Sequence, residues 1–195
     1  MKNLLKYLPV AFVLIGLPIF SWYFLNKGTV MRKDAMKSLY VKSDLGQFQT
    51  VTDDDSTFQS SAMLGKRWFV VFIPETADFT QAMQISSQIY SQAKDDFSPY
   101  VLCISGIKSG ISTIEISQNF QKKFDRKFCK NAFLAQDHFA KLGSQIFKIP
   151  ENLVQKSLVI LVDEKSKIRN YYELENENEV KKLVREYPVF LSLKP

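Results

Sequence analysis

Three short, unbroken apolar runs set the terms for how this chain can fold: Trp68–Ile73, the Val-Leu-Cys-Ile core of Pro99–Ser105, and the Leu-Val-Ile-Leu-Val core of Ser157–Val162. Each is rich in β-branched or aromatic residues and lacks the apolar–polar alternation of a strand with one wet face. Such strands are buried on both sides, so helices have to cover the sheet above and below. The intervening segments supply them. Met83, Ile85, Ile89 and Tyr90 recur at helical spacing over Thr80 to about Lys94, and Ile116, Phe120 and Phe124 follow a Ser112-Thr-Ile-Glu115 capping pattern. Val180, Leu183, Val184 and Tyr187 mark a last helix over Asn176–Tyr187, ending before Pro188.

Two hairpins complete the pattern. Phe48–Val51 and Thr57–Gln59 flank the polar turn Thr52–Ser56, and Gly65-Lys66 resets the chain before the first buried strand. Asp163–Lys167 turns the third buried strand into an edge strand, Ile168–Tyr172. Phe133–Phe147 is ambiguous, with a helix near Asp137–Gly143. Strand, helix, strand, helix, hairpin, helix is an α/β sandwich, a mixed sheet with helices on both faces, in the thioredoxin arrangement.

A different signal opens the chain. Tyr7–Leu25 holds no charge for nineteen residues, enough for a helix to reach across most of a bilayer core of about 30 Å. Trp22 and Tyr23 stand at its distal end, suited to a headgroup layer, and Pro9 and Pro18 are tolerated within it. The expected layout is a short tail (1–6), a transmembrane anchor (7–25), a polar stalk (26–44) and one domain (45–195). A cleaved signal peptide is the competing reading, but no Ala-x-Ala-like site follows the run. Lys27, Arg32, Lys33 and Lys37 outnumber Lys2 and Lys6, which by the positive-inside rule favours a cytoplasmic domain. A short tail and a single span also describe a signal anchor, which exports a long domain regardless of its charge, and export is the reading adopted.

Composition excludes several chemistries. The net charge of +6 falls to +4 over residues 26–195, with 24 basic and 20 acidic side chains and no run of five like charges to track a phosphate backbone. Nucleic-acid binding is not expected. No phosphate loop, dinucleotide fingerprint or serine-hydrolase elbow occurs. Cys103, Cys129 and His138 are too few soft ligands for a closed zinc site.

The anchor, stalk, Asp-rich hairpin, Gly65-Lys66, strand Val70-Val-Phe72, strand ending in Ile104-Ser105, Ser-capped helix, and Leu-Val-Ile-Leu-Val-Asp163 with Ile168–Tyr172 together resemble the Sco/SenC family over residues 45–187. The resemblance implies a membrane-anchored thioredoxin-like protein concerned with copper and cytochrome c oxidase assembly. It also implies a copper site made by Cys-Pro-Asp-x-Cys after the central strand and a histidine before a later one. The matching stretch here is Thr76-Ala-Asp78-Phe-Thr80, and Gln155 stands at the histidine position. Only Asp78 fits. Hydroxyl and amide oxygens lack thiolate softness, and threonine cannot cycle between dithiol and disulfide.

The expectation is therefore a binding or scaffold module rather than a catalyst, with no cofactor and a protein partner at the emptied surface. The alternative is a thiol–disulfide or redox-sensing protein using Cys103 and Cys129, which an exported domain could also join in a disulfide. A relocated metal site at Cys103, Cys129 and His138 competes with the favoured reading of a buried Cys103 and a surface His138. Glu75 and Asp78 are expected to serve the dipole of the following helix rather than acid–base chemistry, and Asp53-Asp-Asp55 to form a solvated turn rather than a calcium loop. Phe79, Phe139 and Phe147 are candidate partner contacts if they are not core.

Overall fold

The structure is a computed structural model that describes residues 12–92, 99–107, 113–124 and 127–193. The tail 1–6, the first residues of the apolar run and the Ser112–Glu115 cap lie outside the described residues or their side chains.

The three apolar runs are β4 (Trp68–Ile73), β5 (Tyr100–Gly106) and β7 (Leu158–Val162), preceded by β1 (Ser43–Asp44), β2 (Gln49–Val51) and β3 (Thr57–Gln59) and accompanied by β6 (Cys129–Leu134) and β8 (Lys167–Glu173). Six of them form one mixed sheet in the order β1-β8-β7-β4-β5-β6, and β2 and β3 form a separate hairpin. β4, β5 and β6 are parallel, with Phe72 beside Ile104 and Val101 beside Cys129; β7 returns antiparallel on the other side of β4, with Phe72 beside Leu158.

Alternate residues of these strands feed two core layers. Phe69, Val71, Cys103 and Leu161 point to the side covered by α2 (Phe79–Ser91), α3 (Thr113–Lys123) and α5 (Glu177–Leu191). Val70, Phe72, Ile104 and Ile160 point to the side covered by α4 (Gln136–Lys141), a π-helical turn (Leu142–Ile146) and the region of the β2–β3 hairpin. Phe139 and Phe147 belong to this second layer, wholly buried with ring centroids 4.1 and 6.0 Å from Phe72. They are core, not partner contacts. Phe79 is partly buried against the first layer.

Three elements depart from expectation. β6 was not foreseen because Lys130 and Asn131 interrupt its apolar pattern; it is an edge strand whose Lys130 reaches Asp54 of the hairpin at 2.9 Å. Ile168–Tyr172 is not itself the sheet edge, since β1 pairs with the start of β8, Ser43 opposite Ile168. α5 runs through Pro188 to Leu191. A mid-helix proline costs about 3 kcal/mol, but Phe190 and Leu191 beyond it are each 1% exposed, and burying two such side chains returns about 1.5–3 kcal/mol apiece.

α1 (Leu17–Ser38) follows a π-helical turn, Phe12–Gly16, with Pro18 in its first turn, where the missing N–H is least needed. It carries on beyond Leu25 through residues expected as stalk. Its end docks on the domain: Ala35 and Leu39 are buried, Arg169 Nη1 donates to the Leu39 carbonyl at 3.2 Å, and Asn170 Nδ2 to Ser38 Oγ at 3.3 Å. Among the described residues no helix is long and apolar enough to cross a membrane; the expected span begins at Tyr7, outside them.

Candidate functional site

Successive strands leave β4 in opposite directions, β5 on one side and β7 on the other, and the crevice beyond the end of such a strand is where open α/β sheets place their sites. Pro74 closes β4, and Glu75–Asp78 turn the chain into α2, with the Ala77 amide donating to the Pro74 carbonyl at 3.1 Å. Asp78 is the N-cap: its Oδ1 accepts from the Gln81 amide at 3.1 Å. The carboxylate of Asp78 is thus engaged in holding the helix start.

The start of β7 forms the opposite wall. Thr76, Asp78, Gln81, Ser157, Leu174 and Glu175 line a small cleft of about 160 Å³. Ser157 Oγ donates to Glu175 Oε1 at 3.5 Å, and Lys156 Nζ bridges Glu173 at 3.1 Å and Glu175 at 3.3 Å. Glu173 and then Glu175 raise the Lys156 ammonium above its ordinary range. Thr76 and Asp78 therefore share one cleft with Ser157, whereas Thr80 and Gln155 are exposed and do not line it. Sequence reading missed Ser157, Lys156 and Glu175; the one signal available was the Gln155-Lys-Ser157 lead into β7.

Behind the turn, Gly106 at the end of β5 abuts the loop. A β-carbon there would lie 2.8 Å from the Glu75 amide nitrogen, so the close approach of the two backbones depends on glycine.

The cysteines lie elsewhere. Cys103, wholly buried in β5, has Sγ 3.5 Å from Ser105 Oγ, and burial pushes its thiol up to about 12. Cys129 pairs with Val101, two positions along from Cys103, and is also buried; neither cysteine is in a disulfide. His138 is exposed on α4, next to Phe139 in the second layer, across the sheet from the cysteine-bearing layer. Among the described residues no three His, Cys, Asp or Glu side chains are grouped to hold a metal ion. Asp54 accepts from Ser56 Oγ at 2.6 Å, Thr52 Oγ1 at 2.5 Å and Lys130 Nζ at 2.9 Å; these bonds hold its carboxyl far below the usual range and make the acidic run a knitted turn.

No family model matches the chain, and no curated protein matches it in sequence. Solved structures do. A SCO1/SenC family lipoprotein from Bacillus anthracis superposes with a TM-score of 0.59 at 17% identity, over 75% of this chain and 94% of that one. BsSco, a member of the Sco family of cytochrome c oxidase assembly proteins, gives 0.59 at 13%, over 78% and 95%. Yeast Sco1 with copper bound gives 0.54 at 12%, over 78% and 96%. The fold is thioredoxin-like. Thiol–disulfide oxidoreductases share it, among them a DsbE-like interchange protein from Chlorobium tepidum.

In this thioredoxin-like frame the turn before α2 presents the Thr76 hydroxyl, the first turn of α2 the Thr80 hydroxyl, and the segment leading into β7 the Gln155 amide. All three are exposed hard donors without a thiolate or imidazole beside them, a set that does not suit copper(I).

Proposed function

We propose that this chain is a membrane-anchored, non-catalytic, thioredoxin-like module that contacts a protein partner through the surface around Thr76–Thr80 and Gln155. The observation that carries the reading is the cleft between the turn before α2 and the start of β7: the crevice is kept, and the groups in it are hydroxyls, a capping carboxylate and ion-paired side chains. Such a surface supports recognition by hydrogen bonds; it offers no thiolate for exchange.

The anchored half of the proposal is supported by α1 and the turn before it. Every large apolar side chain from Phe12 to Leu25 is at least half exposed, a continuous apolar surface far larger than a soluble monomer displays. The names of the Sco neighbours, one a lipoprotein and one a cytochrome c oxidase assembly protein, support the proposed setting of an exported domain at a membrane, with a partner in respiratory-oxidase assembly or copper handling.

A photo-crosslinking residue at Thr76 in the full chain, activated in native membranes, tests this. The expected product is a conjugate with an oxidase subunit or copper-handling protein, absent when the crosslinker stands at the exposed Lys165 on the far side of the β7–β8 hairpin. The same products from both positions, or none from Thr76, would remove the reading.

A further inference from the structure

Four cations follow the apolar run within α1. Lys27, Arg32, Lys33 and Lys37 are all exposed, and no ion pair engages them among the described residues. Asp34 is the only acid between Phe12 and Ser43. Among the described residues the ion pairs lie in the domain instead, as where Lys156 meets Glu173 and Glu175. With Asp34 among the four cations, residues 27–37 carry a net charge of +3, on a helix whose preceding turns are largely apolar and exposed.

Height along the helix sorts the four. At about 1.5 Å per residue, Lys27 lies about 3 Å beyond Leu25, Arg32 about 10 Å, Lys33 about 12 Å and Lys37 about 18 Å. A headgroup layer is about 5–8 Å deep on each side of the hydrocarbon, and charge is felt for about another 10 Å at moderate salt. Lys27 falls inside the layer, Arg32 and Lys33 within its field, and Lys37 at or beyond its limit. These heights are held, because α1 is continuous over these residues and its end is fixed by the burial of Ala35 and Leu39 and by the bonds from Arg169 and Asn170.

We infer that Lys27, Arg32 and Lys33 form a binding collar for acidic phospholipid headgroups at the membrane face of the domain. The inference rests on the membrane-anchored reading and adds to it the class of lipid. A basic side chain at an anionic surface is worth roughly fivefold in affinity, and salt removes that gain.

Trp22 reports on the lipids beside this collar, since it stands at the distal end of the apolar run and is 68% exposed, whereas Trp68, the other tryptophan, is buried in the domain and gives a constant background. The full chain is reconstituted into vesicles of phosphatidylcholine and phosphatidylglycerol in equal parts, with one or the other lipid brominated to quench tryptophan. The expected result is a local excess of the acidic lipid of about fivefold or more. The excess should disappear in K27Q/R32Q/K33Q and at high salt, and persist in K37Q. Equal quenching by the two brominated lipids overturns the collar while leaving the anchor in place. No quenching by either overturns the anchor, and the collar with it.

Discussion

Gly106 and Glu75 stand on neighbouring connections at the end of the sheet, so close that a single β-carbon on Gly106 would meet the Glu75 amide nitrogen at 2.8 Å. The obstructing atom is backbone, which cannot rotate aside as a side chain can. The turn that carries Thr76 to α2 is therefore seated against β5 by the absence of a side chain.

Gly106→Ala should displace this turn and destabilise the protein by about 1–3 kcal/mol, the range for forced overpacking. A chemical-denaturation midpoint measures the loss, and amide exchange over residues 75–78 should rise more than exchange at β7. Unchanged stability and exchange would show that the backbone absorbs the contact.

Asp163 and Arg169 join the β7–β8 hairpin to the end of α1. Asp163 Oδ2 accepts from Arg169 Nε at 2.7 Å and Nη2 at 2.6 Å, its side chain only 8% exposed, while Nη1 of the same guanidinium reaches the Leu39 carbonyl. Arg169→Ala leaves the largely buried Asp163 carboxylate without its counter-charge, held by the Lys165 and Lys167 amides at 2.9 Å, and should cost about 3 kcal/mol. It should also release the end of α1, so limited proteolysis between Leu39 and Lys42 should quicken. Arg169→Lys, which keeps the charge but not the fork, should recover only part of the loss. Proteolysis no faster than in the parent protein would separate the pair from the docking of α1.

Burial of Cys103 makes an alkaline prediction. Its thiol is raised from 9.0 to about 12 in the folded chain, so the folded state holds its proton while the unfolded state gives it up. The corresponding stability is fully present below pH 9 and is lost as pH rises from 9 toward 12. Cys103→Ala should flatten that decline in thermal melts. At neutral pH, iodoacetamide should leave Cys103 unmodified until denaturant is added, as peptide mass spectrometry reads directly. Rapid modification of the native chain would reopen the redox alternative.

Much of the fold was legible where a segment's own chemistry decides its structure. Trp68–Ile73 is a strand at the limits its apolar run and Pro74 imply, and the Asp-rich segment is the turn that short polar side chains favour. Legibility fell where a distant partner decides. β6 reads as polar until Asp54, 76 residues earlier, is seen to bind Lys130. α5 outruns Pro188 because the residues beyond it find a core. The place of the candidate site followed from the end of the central strand, but its second wall, Ser157 and Glu175, comes from a hairpin more than seventy residues further on, with no local signature beyond the Gln155-Lys-Ser157 lead into β7.

The central proposal is that the cleft between Thr76 and Ser157 serves recognition and carries no soft-metal donor set, and copper(I) titration of the purified full chain against a competing chromophoric chelator tests it most directly. The chelator should keep its copper, and Cys103→Ser and Cys129→Ser should titrate as the parent does. One equivalent of copper withdrawn from the chelator, and lost on either cysteine substitution, would contradict it.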